Sequence, residues 1–285
     1  MKARVNGAEI YFDIEGTGLA PVGPDMVEKP ACFVLHGGPG LDHSYFKPWL
    51  TPLADVMQLV YVDHRGTGRS ERVALETCTI EQMADDLEAL RQLLGLGKVI
   101  LLGNSFGGFV AQAFAIRHPE STAKLILVTT SDSHEFYAAA TEQLNKRGTA
   151  EQIATAPALF DGTVTTEEAF SRWWDVMMPL YFANWDEARG HDMVARIIGN
   201  PHVAAYMFAN IIPQFDVRAG LPTLTIPTLV VSGRQDWVTP VGESEKIARA
   251  IPGAELVIFD RSGHMPFIEE QEGFVAAVKQ FLARN

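Results

Sequence analysis

The segment VILLGNSFGGFVAQAFA, residues 99–115, constrains this chain more than any other stretch. An apolar, β-type run passes directly into G-x-S-x-G at Gly103, Ser105 and Gly107, and then into a helix-forming sequence. Three fixed positions of common residues arise by chance in roughly one chain in ten of this length, so the pattern alone carries little. Its placement carries more. A tight strand-to-helix turn thrusts the serine outward, and small residues on either side avoid collisions that side chains would make there. The helix that follows turns its free N–H groups and partial positive charge toward the serine. A serine hydroxyl is a poor nucleophile until it is exposed and a base takes its proton. Ser105 is therefore the candidate nucleophile.

The surrounding pattern supplies a scaffold for such a turn. Further β-type runs occur at 9–14, 32–35, 59–62, 125–128, 229–232 and 255–259, several of them almost wholly apolar, as strands covered on both faces are. Helical patterns lie between them. The clearest begins at Thr79, where Thr79 and Gln82 read as a capping box, and continues with Ile80, Met83, Leu87, Leu90 and Leu94 on one face until Gly95. Alternating β and α segments predict a mostly parallel sheet with helices on both sides, the α/β class. Residues 16–30, rich in Gly and Pro, read as a long connection between two early strands.

The alternation stops at 133–221, which reads as helical pieces carrying Trp173, Trp174, Tyr181, Phe182, Trp185, Tyr206 and Phe208. This predicts a core formed by 1–132 and 222–285 and a helical cap formed by 133–221. A cap over the carboxyl ends of the strands would wall a pocket where open α/β sheets bind ligands. Trp173, Trp174 and Tyr206 are the expected substrate-facing residues, and the other aromatics hold the cap together.

Composition excludes several functions. The formal charge of −12 and the lack of a Lys/Arg cluster argue against a nucleic-acid partner. No apolar stretch approaches the roughly 18 residues of a membrane helix, and no export signal is legible, so the expected location is cytoplasmic. Eight histidines form no HExxH or other ligand spacing, so no metal is expected. Cys32 and Cys78, in dissimilar settings, read as free thiols.

The remaining chemistry follows from what an attacked carbonyl needs. Its oxygen becomes negative, and two preplaced N–H donors stabilise it. The N–H of Phe106, next after the serine, is one. HGGPG at 36–40, directly after an apolar run, supplies the other; Pro39 has no N–H, and Gly38 is the choice. His36 reads as bracing that loop. The base and its orienter should follow the serine in chain order. Asp236 lies a few residues beyond the run 229–232, and His264 just beyond the run 255–259, so both fall on loops at the sheet edge that carries Ser105. Asp132, beyond the run 125–128, is an alternative orienter. His43, His118 and His202 read as surface or packing residues.

HGGPG at 36–40, DHRGTGRS at 63–70, GNSFGG at 103–108, GRQD at 233–236 and SGH at 262–264, in this order, resemble the α/β-hydrolase superfamily. Within it they resemble the proline iminopeptidase-like serine hydrolases, over about 1–132 and 222–285. The resemblance implies an eight-stranded, mostly parallel sheet with a helical cap inserted after the sixth strand. It makes DHRGTGRS the turn after the fourth strand, with no catalytic role for Asp63 or Arg65. In that family cap glutamates hold the free amino group of the substrate, one of them in a segment E-N-H-Y-F-x-N. The nearest match is AAYMFAN at 204–210, with Ala204 at the glutamate's position, and Glu167, Glu168, Asp175, Asp186 and Asp192 are the other acidic candidates.

The expected function is cleavage of an ester, lactone or amide bond of a small-molecule substrate through an acyl-enzyme, with no cofactor. Proline iminopeptidase activity is the alternative within the resemblance. A cofactor-free lyase or a ligand-binding protein on the same scaffold are alternatives of other classes, because fold alone does not fix function.

Overall fold

The computed structural model describes residues 1–284. Its main sheet has eight strands: β1 (Lys2–Val5), β2 (Ala8–Glu15), β5 (Ala31–Leu35), β6 (Gln58–Val62), β7 (Val99–Asn104), β8 (Thr122–Val128), β9 (Thr228–Gly233) and β10 (Glu255–Phe259). They lie in the order β1-β2-β6-β5-β7-β8-β9-β10, antiparallel at β1–β2 and β2–β6 and parallel elsewhere. All seven β-type runs of the sequence are strands here. The apolar ones, β5, β7 and β9, are buried along their whole length, the burial that two covered faces impose. Beyond these, the structure adds β1 and an exposed hairpin, β3 (Leu19–Val22) and β4 (Asp25–Glu28), inside what reads as a connection.

Strand order positions the site. From β5 the chain moves to β6 on one side, then crosses to β7 on the other. The carboxyl ends of β5 and β7 therefore flank a switch point, where an α/β sheet opens a crevice. Helix α1 (Ile80–Leu93) joins β6 to β7, and α2 (Phe106–Arg117) runs from the β7 turn back to β8. In α1, Ile80, Met83, Leu87 and Leu90 are buried as their spacing predicts, and Gly95, at φ 66°, follows its end. Only half of the expected capping box forms. Thr79 accepts the Gln82 N–H at 3.1 Å, but the Gln82 amide turns away to Asp86, 3.1 Å distant.

Between β8 and β9 the described chain is helical: α3 (Phe136–Arg147), α4 (Ala150–Thr155), α5 (Pro157–Phe160), α6 (Glu167–Met177), α7 (Glu187–Arg196) and α8 (Pro201–Tyr206). Six strands of the main sheet precede this segment. Helices α9 (Val241–Ala250), α10 (Pro266–Glu269) and α11 (Gln271–Arg284) complete the chain. No described helix is long and apolar enough to cross a membrane, and Cys32 and Cys78 are both free and buried.

A buried polar cluster fastens the turn after β6 beneath the crevice. Asp63 accepts hydrogen bonds from the His43 ring (2.6 Å), the His43 N–H (3.1 Å) and the Arg69 N–H (2.8 Å). His43, read from sequence as a surface or packing residue, is thus a buried partner of the DHRGTGRS turn. Burial works to raise the Asp63 carboxyl, but the hydrogen bond and charge of His43 outweigh it and bring the group down to about 2. His36 Nδ1 faces the Gly37 carbonyl at 2.8 Å, while Nε2 takes the His64 N–H at 3.2 Å, an arrangement that suits the neutral ring. Burial holds both His36 and His64 below the ordinary histidine value, His64 far below it.

Both rings are neutral in the folded chain and take a proton near pH 6.5 when it unfolds, so stability is full above that pH and falls below it. Chemical denaturation at pH 7.5 and 5.5 should show a loss of stability on acidification that His64→Gln makes smaller. Equal losses in the two proteins would show that His64 does not titrate on unfolding.

Candidate active site

Ser105 caps α2 with a left-handed backbone, φ 55° and ψ −123°. Close packing at the β7–α2 turn depends on glycine. A Cβ on Gly107 would lie 2.0 Å from the Leu35 carbonyl oxygen, and one on Gly103 would lie 2.4 Å from that of Gly107. The turn is tied on both sides: the Ser105 N–H donates to the Val128 carbonyl (3.0 Å), and its own carbonyl accepts from the Gly108 N–H and the Thr130 hydroxyl, each at 2.8 Å.

HGGPG follows β5 across the crevice. Gly38 has φ 124°, open to glycine alone at little cost, and its N–H and that of Phe106 find no protein partner among the described residues. Both residues line one cavity with Ser105 and His264, of about 540 Å³ of empty space. Phe106 is also the first residue of α2, so its free N–H lies at the positive end of a helix. Two such N–H groups beside a serine can hold a developing oxyanion.

His264 and Asp236 meet on the loops after β10 and β9. His264 Nδ1 lies 2.8 Å from Asp236 Oδ2, and both side chains are buried. The Asp236 carboxylate also accepts from the Val238 N–H (2.8 Å), the Thr239 N–H (3.3 Å) and the Thr239 hydroxyl (2.9 Å), which fix its plane. An acceptor on Nδ1 leaves Nε2 as the basic nitrogen. Asp132 makes no such contact. Its Oδ1 is buried without a partner among the described residues, and burial together with the neighbouring Glu243 pushes its carboxyl up.

A chain of buried hydrogen bonds links these loops. The Gly37 N–H donates to the Tyr45 hydroxyl (2.6 Å), which donates to Asn104 Oδ1 (2.8 Å). Asn104 Nδ2 donates to the Thr129 hydroxyl (2.7 Å), which donates to the His264 carbonyl (3.0 Å). Asn104, the residue before Ser105, thereby joins the HGGPG loop to the histidine loop. Tyr181 supports the histidine from the helical segment: its carbonyl accepts the His264 N–H at 2.7 Å, and its ring meets the imidazole edge-on at 5.3 Å.

Of the three aromatics expected to face substrate, only Trp174 lines the cavity. Trp173 is its neighbour on α6, about 100° around the helix, and packs edge-on behind it at 4.9 Å. Tyr206 lies two residues, about 200°, past Ala204 on α8, and Ala204 is the residue that faces the HGGPG loop. A Cβ placed on Gly40 would come 2.9 Å from the Ala204 Cβ. The cavity's other aromatic walls are Tyr45, Phe106, Phe109, Phe136, Phe160, Tyr181 and Phe208. Tyr45, Phe109, Phe136 and Phe160 carry no sequence signal that sets them apart from packing residues.

Among the described residues, no carboxylate, lysine or arginine side chain lines the cavity. Glu167, Glu168, Asp175, Asp186 and Asp192 are all exposed, and Glu167 borders a separate outer cavity behind Trp174. Among the described residues, no group of three or more His, Cys, Asp or Glu could hold a metal ion.

A family model described as the α/β hydrolase fold matches residues 30–271. A proline iminopeptidase of Pestalotiopsis fici, PfmaB, is 31% identical over 287 aligned residues that cover 98% of each chain. A putative carbamate hydrolase, RutD, of a Caulobacter species is 28% identical, over 88% of this chain and 90% of its own. Among solved structures, a thermophilic esterase from Thermogutta terrifontis is 28% identical with a TM-score of 0.69, over 99% and 96% of the two chains. With its sheet order, elbow and loops in place, this chain belongs to the α/β hydrolase fold family.

Proposed function

We propose that the chain is a serine hydrolase that cleaves ester, lactone or amide bonds of small uncharged molecules through an acyl-enzyme. The observation that carries this reading is the His264–Asp236 pair, 2.8 Å apart, opening on the cavity that also holds Ser105 and two unpartnered N–H groups. Nε2 of His264 takes the Ser105 proton as Oγ bonds to the carbonyl carbon. The Gly38 and Phe106 N–H groups receive the oxygen as it becomes negative, and Asp236 stabilises the imidazolium. His264 then gives the proton to the departing alcohol or amine, which leaves an acyl-Ser105 ester. Water, losing a proton to His264, repeats the attack; the acid departs and Ser105 regains its proton. The esterase and carbamate hydrolase names among the relatives support this class of substrate.

Stoichiometric labelling by a fluorophosphonate, with steady release of p-nitrophenol from its acetate ester, separates this reading from a binding protein. Ser105→Ala and His264→Ala should each lower kcat by about 10⁵–10⁶, and the double variant should be no worse than either, because the groups act as one unit. Asp236→Asn should cost about 10⁴ through the wrong histidine tautomer, while Asp132→Asn leaves most of the rate. Additive losses, or a crippled Asp132→Asn enzyme, would sink the assignment.

The uncharged lining decides between acyl substrates and free amines. An ammonium brought into this cavity would have no carboxylate to pair with, and an unpaired buried charge costs about 1–3 kcal/mol or more. N-acetylated prolyl-p-nitroanilide and short neutral esters should therefore be cleaved at least as well as prolyl-p-nitroanilide with a free amine, compared as kcat/KM. A hundredfold preference for the free amine would give the site to the aminopeptidase activity named for PfmaB.

A further inference from the structure

Phe160 belongs to two linings at once: that of the cavity holding Ser105 and that of an outer groove of about 1040 Å³. The groove runs between α3, α4 and α5, walled by Tyr137, Leu144, Ile153, Ala156 and Trp237, with exposed Thr141 on its rim. Among the described residues no other is common to the two linings, so Phe160 is the partition between them.

That partition is held by rings rather than by hydrogen bonds. The half-buried Phe160 ring sits 5.4 Å from Tyr137, 5.5 Å from Phe208 and 6.0 Å from Trp237, at the end of a single helical turn. The inner walls it covers are apolar with two exceptions, while exposed Thr141, Asn145 and Asp161 make the outer rim polar. The Tyr137 hydroxyl and the Trp237 indole N–H are buried without a partner among the described residues. Such a surface suits a neutral, elongated apolar arm, with an acceptor oxygen tolerated near the two unpaired groups.

We propose that Phe160 sets substrate length by closing the catalytic cavity against this groove, and that the groove takes the apolar arm of an elongated neutral substrate once the ring is removed or displaced. The proposal rests on the serine hydrolase reading and adds to it a specificity-determining residue and a second subsite. Each methylene taken out of water strengthens binding by roughly fourfold, so access to even two or three more should be easy to measure.

The test compares kcat/KM along two series: p-nitrophenyl esters of acids from acetate to decanoate, and acetate esters of alcohols from ethanol to decanol. The first places the arm on the acyl side and the second on the leaving-group side. Phe160→Ala should raise the ratio of the longest to the shortest substrate at least tenfold over the wild type in one series, and Phe160→Leu should raise it less. Adding Thr141→Trp to Phe160→Ala fills the groove from its rim and should return the ratio toward the wild-type value. If Phe160→Ala does not fold, Phe160→Leu with and without Thr141→Trp makes the same comparison. A ratio within twofold of wild type in both series, in a variant that still cleaves acetate esters, overturns the proposal and leaves the hydrolase reading standing. A gain that survives Thr141→Trp overturns it too, because the added space then lies elsewhere. A wild-type chain that cleaves no ester of either series overturns the proposal, and one that also takes no fluorophosphonate label overturns the hydrolase reading with it.

Discussion

Ser105 is held where a side-chain-bearing residue is about 1–3 kcal/mol above its relaxed backbone, and the site depends on that position being kept. Relaxing it would break three hydrogen bonds at once: the one to Val128 and the two that its carbonyl accepts. It would also have to push the turn apart from β5, whose Leu35 carbonyl lies too near Gly107 for any side chain to intervene. The strain is therefore carried by packing that a larger residue at 103 or 107 would prevent. What the strain accompanies is a serine on the cavity wall beside a helix N-terminus whose first N–H has no partner among the described residues.

A candidate nucleophile placed in this way is useful only if the candidate oxyanion loop and base keep register with it. The chain from Gly37 through Tyr45, Asn104 and Thr129 to the His264 carbonyl couples all three segments by side chains that are buried and fully directed, each hydroxyl accepting one hydrogen bond and donating the next. Hydrogen bonds in a low-dielectric interior polarise one another, and a missing link leaves a buried group unsatisfied. The position before Ser105 is thus occupied by an amide for a geometric reason. Asn104 reaches the oxyanion side with its oxygen and the histidine side with its nitrogen, which no apolar residue of similar size could do.

What could be read from the sequence was what a local pattern encodes. Strands buried on both faces announce themselves as apolar runs, and Asp236 and His264 fall just beyond two of them, so their arrival at one sheet edge follows from parallel topology. The hairpin β3–β4 could not be read this way. Leu19, Val22, Met26 and Val27 are all substantially exposed there, and no buried face imprints an alternation. His43 escaped for a different reason: its partner Asp63 is twenty positions away, and nothing local distinguishes a histidine that meets a buried carboxylate from one on the surface. The aromatics of the helical segment show the same limit. Trp173 and Trp174 are indistinguishable as residues, and only the helical rotation between them decides which one faces the cavity.

Ala204 shows how packing and specificity become linked. The Gly40 backbone approaches α8 so closely that its carbonyl accepts the Asn200 N–H at 2.7 Å, and a Cβ on Gly40 would collide with the helix. The first turn of α8 is thus a support for the same loop that presents the Gly38 N–H. Ala204 is fully buried in that contact. A glutamate in its place would have to bring a carboxylate into a fully buried position packed against that loop, at the cost of shifting it. In this chain, the Ala204 methyl packs against the Gly40 backbone. The cavity beyond it is walled largely by aromatic side chains, the lining on which the proposed preference for uncharged substrates rests.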